Sequence, residues 1–504
     1  MINLSSIRVR FISSFTTNIL RAIISFFIGI LIARMLGPSE YGSFNFLIGS
    51  FISIATFIDF ATSSAFYTLI SEKQRGRIFY LSYFAWLFSQ FIFLILLVVL
   101  APVSIREKIW LGYPYDLVLL ALLTSFLMNQ IWTAIGQIGE SIRDTVGVQV
   151  RNLLIAILML IGLLFLEKIK LITILNIFVL YIILYVIFSI LYIFRIHQKS
   201  VFSHIDSETF ADIVNNFRKF CRPLVWYTII GFIYSFADLW ILNKYGGSAQ
   251  QGYYSISVKF SSVSLIATTS ILQIYWKEVA EANSQNNKLR IATLYRQFSK
   301  GLFYLGALIS GWIIVNSVEI IEEFLGKSYQ LATIPFGLMS LYTVHQSMGQ
   351  ITGATLFAMG KTKIASIIGI AFMFISIPLT YLFLAPSNLI VPGLGLGSMG
   401  LALKMVICQI IGVNISAYFV SKYLIVKYEW KYQFYIIVIQ LVFATISKYL
   451  SHYISTAFDL SIVYNLTISG ILSLVFSIYF IIRYPSVIGL ENIQLSNLVK
   501  KIFH

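Results

Sequence analysis

Four stretches of this chain, 78–105, 117–139, 171–194 and 460–482, contain no charged residue, and a fifth, 364–403, is longer still. A helix crosses the hydrocarbon core of a bilayer with about 20 mostly apolar residues. Each of the four therefore reads as a membrane span, and the fifth as two, divided at Pro386, Pro392 and Gly393. Soluble domains carry roughly 25% charged residues. Here 11% are charged and 58% apolar, too few charges to clothe a surface facing water. With only Cys221 and Cys408, a disulfide scaffold or a multi-cysteine metal site is excluded. The apolar stretch 11–33 is the first of many alike, and reads as a span rather than a cleaved signal.

Extended along the chain, this reading predicts an all-α polytopic membrane protein. The first helices fall near 11–33, 42–66, 78–103, 115–139, 148–166 and 171–194. The next six fall near 223–243, 253–275, 301–322, 333–357, 364–385 and 396–421, and two more near 433–450 and 462–483. Orientation follows from the basic residues, which concentrate on the cytoplasmic side of membrane proteins. With a cytoplasmic N-terminus, inner loops and tails hold 25 Lys and Arg and outer ones 8, and Arg21, Lys259 and Lys404 lie inside spans. Both termini are therefore expected in the cytoplasm of a cell (inner) membrane. The net charge of +16 mostly expresses this rule, and no loop is large enough for a basic nucleic-acid-binding domain.

Three cytoplasmic pieces read as interfacial. In 208–220, Phe210, Ile213, Val214 and Phe217 recur at helical spacing opposite Asn, Arg and Lys. Leu495, Leu498, Val499 and Ile502 repeat the pattern in the tail. The 276–300 loop is polar and partly helical. Packing on the membrane surface is the simplest role for all three.

An internal repeat is also visible. The turn Arg34-Met-Leu-Gly37-Pro38-Ser39-Glu40-Tyr41-Gly42 matches Lys244-Tyr-Gly-Gly247-Ser248-Ala-Gln-Gln-Gly252 at an offset of 210, and Arg8 maps onto Arg218. Gly37 can end a helix in a backbone conformation closed to other residues, and Pro38 cannot continue it. Ser39 can cap the next helix, with Glu40 in its first turn. The predicted organisation is a parallel repeat of two six-helix lobes, 1–200 and 223–421, joined by an interfacial linker at 201–222. Helices 13 and 14 and the tail, 422–504, follow. Two such lobes about an axis along the membrane normal form a transporter architecture with substrate between them.

The stretch Ile30-Leu-Ile-Ala-Arg34-Met-Leu-Gly-Pro-Ser-Glu-Tyr-Gly42 resembles the first-hairpin signature of Wzx-type polysaccharide (O-antigen repeat-unit) flippases. These belong to the multidrug/oligosaccharidyl-lipid/polysaccharide exporter superfamily. Ser71-Glu72-Lys73, Ala237-Asp238-Leu239 through Gly252-Tyr253-Tyr254, Leu325-Gly326-Lys327-Ser328-Tyr329 and Ala358-Met-Gly360-Lys361 add to the resemblance, which covers roughly 1–430. It implies two bundles in a MATE-like V around a central cavity. The implied activity is moving an undecaprenyl-diphosphate-linked oligosaccharide to the outer leaflet for surface polysaccharide or lipopolysaccharide synthesis. It further implies no cofactor, a proton or sodium gradient as energy source, and other polysaccharide-assembly proteins and membrane lipids as partners. Helices 13 and 14 depart from twelve-helix members and match fourteen-helix relatives that include lipid II flippases.

Ionisable residues inside spans cost about 2.5–3.5 kcal/mol on insertion scales and are functional candidates. Arg21 lies about 15 Å along helix 1. With Ser14, Asn18 and Ser25 it forms one polar stripe, and its planar fork suits phosphate oxygens. Asp59, at similar depth in helix 2, is a candidate ion-pair partner for Arg21 or an ion-coupling group. Asp238 and Lys259 have matching depths and read first as a structural salt bridge. Lys404 has no obvious partner and is the better candidate for a cavity-lining cation. Helix 10 presents Tyr342, His345, Gln346, Gly349, Gln350 and Gly353 on one face, part of it explained by glycine-mediated helix packing. The amides and imidazole suit sugar hydroxyls, and His345 could titrate during coupling. Helix 4 adds Asn129, Gln130, Thr133 and Gln137. Gly37, Pro38, Gly42, Gly247 and Gly252 are the hinge and turn positions. Gly395-Leu-Gly397-Ser-Met-Gly400 matches a dinucleotide-binding pattern, but no strand precedes it and tight packing explains it better.

Three functions remain open: a flippase, a drug or cation exporter of the same superfamily, or a membrane glycan polymerase or ligase. Outer loops of about a dozen residues leave little room for the last, so no enzymatic activity is expected.

Overall fold

The computed structural model describes residues 7–198 and 208–490, without the side chains of 7–15, 266, 267, 269, 270 and 273. The basic side chains of Arg8 and Arg10, the side chain of Ser14 and the amphipathic pattern at 495–502 lie outside the described residues. All regular structure among those described is helical. The bilayer dictates this, because lipid cannot satisfy a backbone amide and a helix pairs its own.

Among the described residues, eleven helices are long and apolar enough to span a membrane. Two of these are hairpins run together across a kink, at Gly37 and Gly247. Dividing them there and adding the more polar Thr333–Ala358 accounts for all fourteen expected segments.

The chain forms two compact units, Met1–Gly252 and Tyr253–His504. The division falls inside the expected second lobe, 223–421, because the arm that follows residue 222 packs on the first unit. Phe57 stacks on Phe232 at 5.0 Å, the Ser235 hydroxyl donates to Ser53 (3.1 Å), and Trp240 Nε1 donates to the Lys108 carbonyl (2.8 Å).

The first unit contains α1 (Ile7–Asp59), α2 (Thr62–Glu72), α3 (Arg77–Leu100), α4 (Val103–Trp110) and α5 (Tyr115–Ser125). A π-helical turn, Phe126–Ile131, leads into α6 (Trp132–Ser141), followed by α7 (Thr145–Lys168), α8 (Ile174–Gln198), α9 (Phe210–Cys221) and the first arm of α10 (Val225–Ser261). Its core is aromatic: Phe66 lies flat on Tyr83 at 3.8 Å and Phe91 on Phe126 at 4.1 Å.

The expected interfacial helix is α9. Thr209 and Asp212 form a reciprocal capping box, and these hydrogen bonds, led by the Thr209 hydroxyl, hold the Asp212 carboxyl below its usual range. Phe217 stacks on Tyr83 (6.0 Å) and Phe79 (5.6 Å), and Ile213 is buried, while Phe210 and Val214 are exposed. The helix is tied down by Arg75, a buried guanidinium bound to Glu208 at 2.6 Å and to the Leu69 carbonyl at 2.9 Å.

The second unit takes α10 from Tyr253 onward, then α11 (Ile266–Ser284), α12 (Lys288–Val315), α13 (Ser317–Leu325) and α14 (Thr333–Ala358). It continues with α15 (Thr362–Leu384), α16 (Gly397–Leu424), α17 (Trp430–Ala457) and α18 (Ile462–Arg483). The helical part of the 276–300 loop is the end of α11 and the start of α12. Helices α17 and α18 meet through buried serines spaced by four, Ser447, Ser451 and Ser455 on one and Ser469, Ser473 and Ser477 on the other. Small polar residues let helices approach closely where lipid supplies no hydrophobic drive. The Gly395–Gly400 match is a helix-entry turn: Gly395 and Gly397 have positive φ, and a Cβ on Gly400 would sit 2.8 Å from the Phe383 carbonyl oxygen.

Candidate functional site

The two repeated turns have the same backbone. Gly37 sits at φ 74°, ψ 171° and Gly247 at φ 81°, ψ 173°, a region essentially reserved for glycine. Five residues on, Gly42 and Gly252 let the turns touch. A Cβ on Gly42 would overlap the Ser248 carbonyl and lie 2.6 Å from the Gly252 nitrogen. One on Gly252 would overlap the Pro38 carbonyl. The Ser39 and Ser248 hydroxyls close the contact at 2.6 Å. Pro38 and Ser248 are themselves related by the offset of 210, so the contact is reciprocal.

Within the first unit, Arg21 and Asp59 are not partners, contrary to the pairing weighed from sequence. Arg21 is half-buried and makes no ion pair among the described residues. Its guanidinium lies close enough to Tyr185 for its charge to act on the phenol, and Tyr185 in turn stacks with Tyr181 at 6.4 Å. Asn18, one turn earlier, is exposed.

Asp59 has a different task. The span expected over 42–66 is not continuous: Phe60 and Ala61 both have positive φ, and the helix restarts at Thr62. A break inside the membrane leaves amides without partners. The Asp59 carboxylate meets that need, accepting from the Thr62 hydroxyl (2.5 Å) and the Ser63 amide (3.2 Å). Trp86 Nε1 donates to the Thr62 hydroxyl (3.1 Å) and Gln137 Nε2 to that of Ser63 (3.3 Å), so Gln137 is brought to this break. Beyond it, the π turn carries Asn129 and Gln130, and such turns occur frequently at functional sites. The amide oxygens of Gln130 and Gln137 are buried without a hydrogen-bond partner. Asp59→Ala, which removes the cap, should lower unfolding stability in detergent by about 0.5–2 kcal/mol. Asp59→Asn, which keeps an acceptor, should lose less, and thermal unfolding of both variants checks this.

In the second unit the polar stripe of α14 divides in two. His345 is buried against α12 and α17: its ring meets Phe303 edge-on at 5.4 Å, and its Nδ1 lies 3.3 Å from the Leu341 carbonyl oxygen. Gln433 Nε2 donates to Asn414 Oδ1 (2.7 Å), which also accepts from the Tyr428 hydroxyl. Gln346 turns instead to α16, where its carbonyl accepts from Gln409 Nε2 (2.5 Å), and Gly349 packs on Val413. Gln350 has a buried amide oxygen without a partner. A single sugar-facing stripe is thus not formed, since 100° per residue places His345 and Gln346 on different neighbours.

Lys404, expected to line a cavity, is fully covered at 0% exposure, with Met405 Sδ 3.8 Å from Nζ. Asp238 is buried, and Lys259 makes no ion pair among the described residues. Neither the α2 break nor the Gln433–Asn414–Tyr428 network was identified from sequence. No glycine or proline marks the former, and the latter joins α16, the turn after it and α17, which helical spacing does not relate.

Comparison with known proteins places this fold in one class. No protein-family model and no curated protein sequence matches the chain. Solved structures do. A multidrug resistance MATE family transporter of the MOP superfamily, in an outward-facing conformation, aligns with a TM-score of 0.56 at 14% identity, over 82% of this chain and 95% of that one. A MOP superfamily transporter from Pyrococcus furiosus gives 0.54 at 13% identity, over 82% and 95%. The lipid II flippase MurJ, in an inward closed conformation, gives 0.71 at 19% identity over 93% of this chain and 98% of that one. The chain has the MurJ- and MATE-like transporter fold.

Proposed function

We propose that the protein is a flippase that moves an undecaprenyl-diphosphate-linked oligosaccharide across the cytoplasmic membrane by alternating access. The observation that carries the reading is Arg21, a cation within a span with no counter-ion among the described residues. Placing a bare charge in a bilayer is costly, and an incoming diphosphate supplies the missing partner through charge-assisted hydrogen bonds. The lipid tail can remain in the bilayer, so only the head needs a polar route. Similarity to a lipid II flippase over nearly the whole chain supports a lipid-linked substrate. In this reading both termini face the cytoplasm of the inner membrane, and a proton or sodium gradient drives the cycle. Asn18, Gln137, Gln346, Gln350, His345 and Lys404 are candidate contacts for the head along that route, while Asp238 and Lys259 remain candidates for coupling.

Similarity to multidrug transporters favours a second reading, a drug or cation exporter. One experiment separates the two. A strain lacking the protein should accumulate lipid-linked glycan on the inner leaflet and lose surface polysaccharide, with unchanged drug sensitivity. Normal surface polysaccharide together with drug hypersensitivity would overturn the flippase reading.

A further inference from the structure

At one end of the second unit, a cleft of about 230 Å³ opens between α12, the 425–429 turn and the start of α17. It lies at the end of the bundle that the distribution of basic residues assigns to the cytoplasm. Three cations line it, Arg296, Lys300 and Lys427, against the single carboxylate of Glu429. Glu429 is already committed, 2.5 Å from Lys300, whose ammonium also lies 4.8 Å from the centre of the Tyr432 ring. Arg296 and Lys427 make no ion pair among the described residues. The cleft therefore carries two uncompensated positive charges beside the aromatic faces of Tyr428 and Tyr432.

We propose that this cleft binds the phosphate group of a small phosphate ester. An arginine fork and a lysine ammonium match the geometry and charge of a phosphate dianion. Drug-sized ligand pockets run about 300–1,000 Å³, so a space of about 230 Å³ suits a phosphate on a glycerol or a single ring and excludes an oligosaccharide. The same chemistry has two sources, a phospholipid headgroup from the bilayer or a soluble phosphate ester. The site is distinct from Arg21 and does not depend on which cargo the protein carries.

The test uses the full chain in phosphatidylcholine nanodiscs, titrated with glycerol 3-phosphate while amide exchange is followed across 425–433. A second preparation adds phosphatidylglycerol to the nanodisc. Binding should slow exchange in that segment. The double variant Arg296→Gln/Lys427→Gln should need at least about tenfold more ligand for the same protection. Both side chains are exposed, so folding is not at risk. Lys422→Gln, which removes an exposed cation outside the cleft, should behave as wild type. Protection by glycerol 3-phosphate assigns a soluble ligand, and protection only in phosphatidylglycerol nanodiscs assigns a headgroup. No protection by either probe, or equal protection of the double variant, overturns the proposal.

Discussion

Replacing Gly42 or Gly252 with Val should prevent the two repeated turns from meeting. The obstacles are the backbone carbonyls of Ser248 and Pro38, which cannot swing aside as the end of a long side chain could. Overpacking of this kind typically costs about 1–3 kcal/mol. That cost would reduce the population of the touching conformation by about 5- to 150-fold. The Ser39 and Ser248 hydroxyls, 2.6 Å apart, provide the readout. A Ser39→Cys/Ser248→Cys variant should form a disulfide readily, and adding Gly42→Val should abolish most of it. Gly353→Ala is the control, because a Cβ there meets nothing within 4 Å. For a carrier working by alternating access, loss of a conformation is loss of turnover, so export should fall with cross-linking. Undiminished cross-linking in the Gly42→Val background would mean that the turns do not need their glycines.

The second large effect is expected at Arg21. Arg21→Ala should cripple export while leaving the amount of protein in the membrane unchanged, because no ion pair among the described residues is broken by its removal. Arg21→Lys keeps the charge but loses the planar fork, and should recover only part of the activity. Wild-type export in Arg21→Ala would remove the residue from the mechanism. Reduced protein level with normal specific activity would instead make it a folding element.

The fold was largely legible in the sequence because the bilayer imposes a simple rule: charge-free runs of about 20 residues become helices. The turns at Gly37 and Gly247 were legible for a related reason, as Gly37-Pro38 can hardly be anything but a helix end followed by a restart. Events inside spans were harder. Phe60 and Ala61 take positive φ though neither is glycine or asparagine, so tertiary context, with Asp59 as cap, decides that break. The polar residues were easy to list and hard to place. Lys404 carries a charge that suggests an open cavity, yet is completely covered. His345 and Gln346 are neighbours in the chain that face different helices. Helical spacing states which residues share a side, but only packing decides what that side meets.

The matching φ and ψ of Gly37 and Gly247 bear on the ancestry of the chain. Most positions in a lipid-facing helix can drift among Leu, Ile, Val and Phe with little penalty, so a copied segment soon stops looking like its original. A backbone angle that tolerates no side chain erases far more slowly. These two glycines act as fixed survey marks, and kinship between the halves is best sought by lining up such sterically frozen points rather than by counting shared apolar letters.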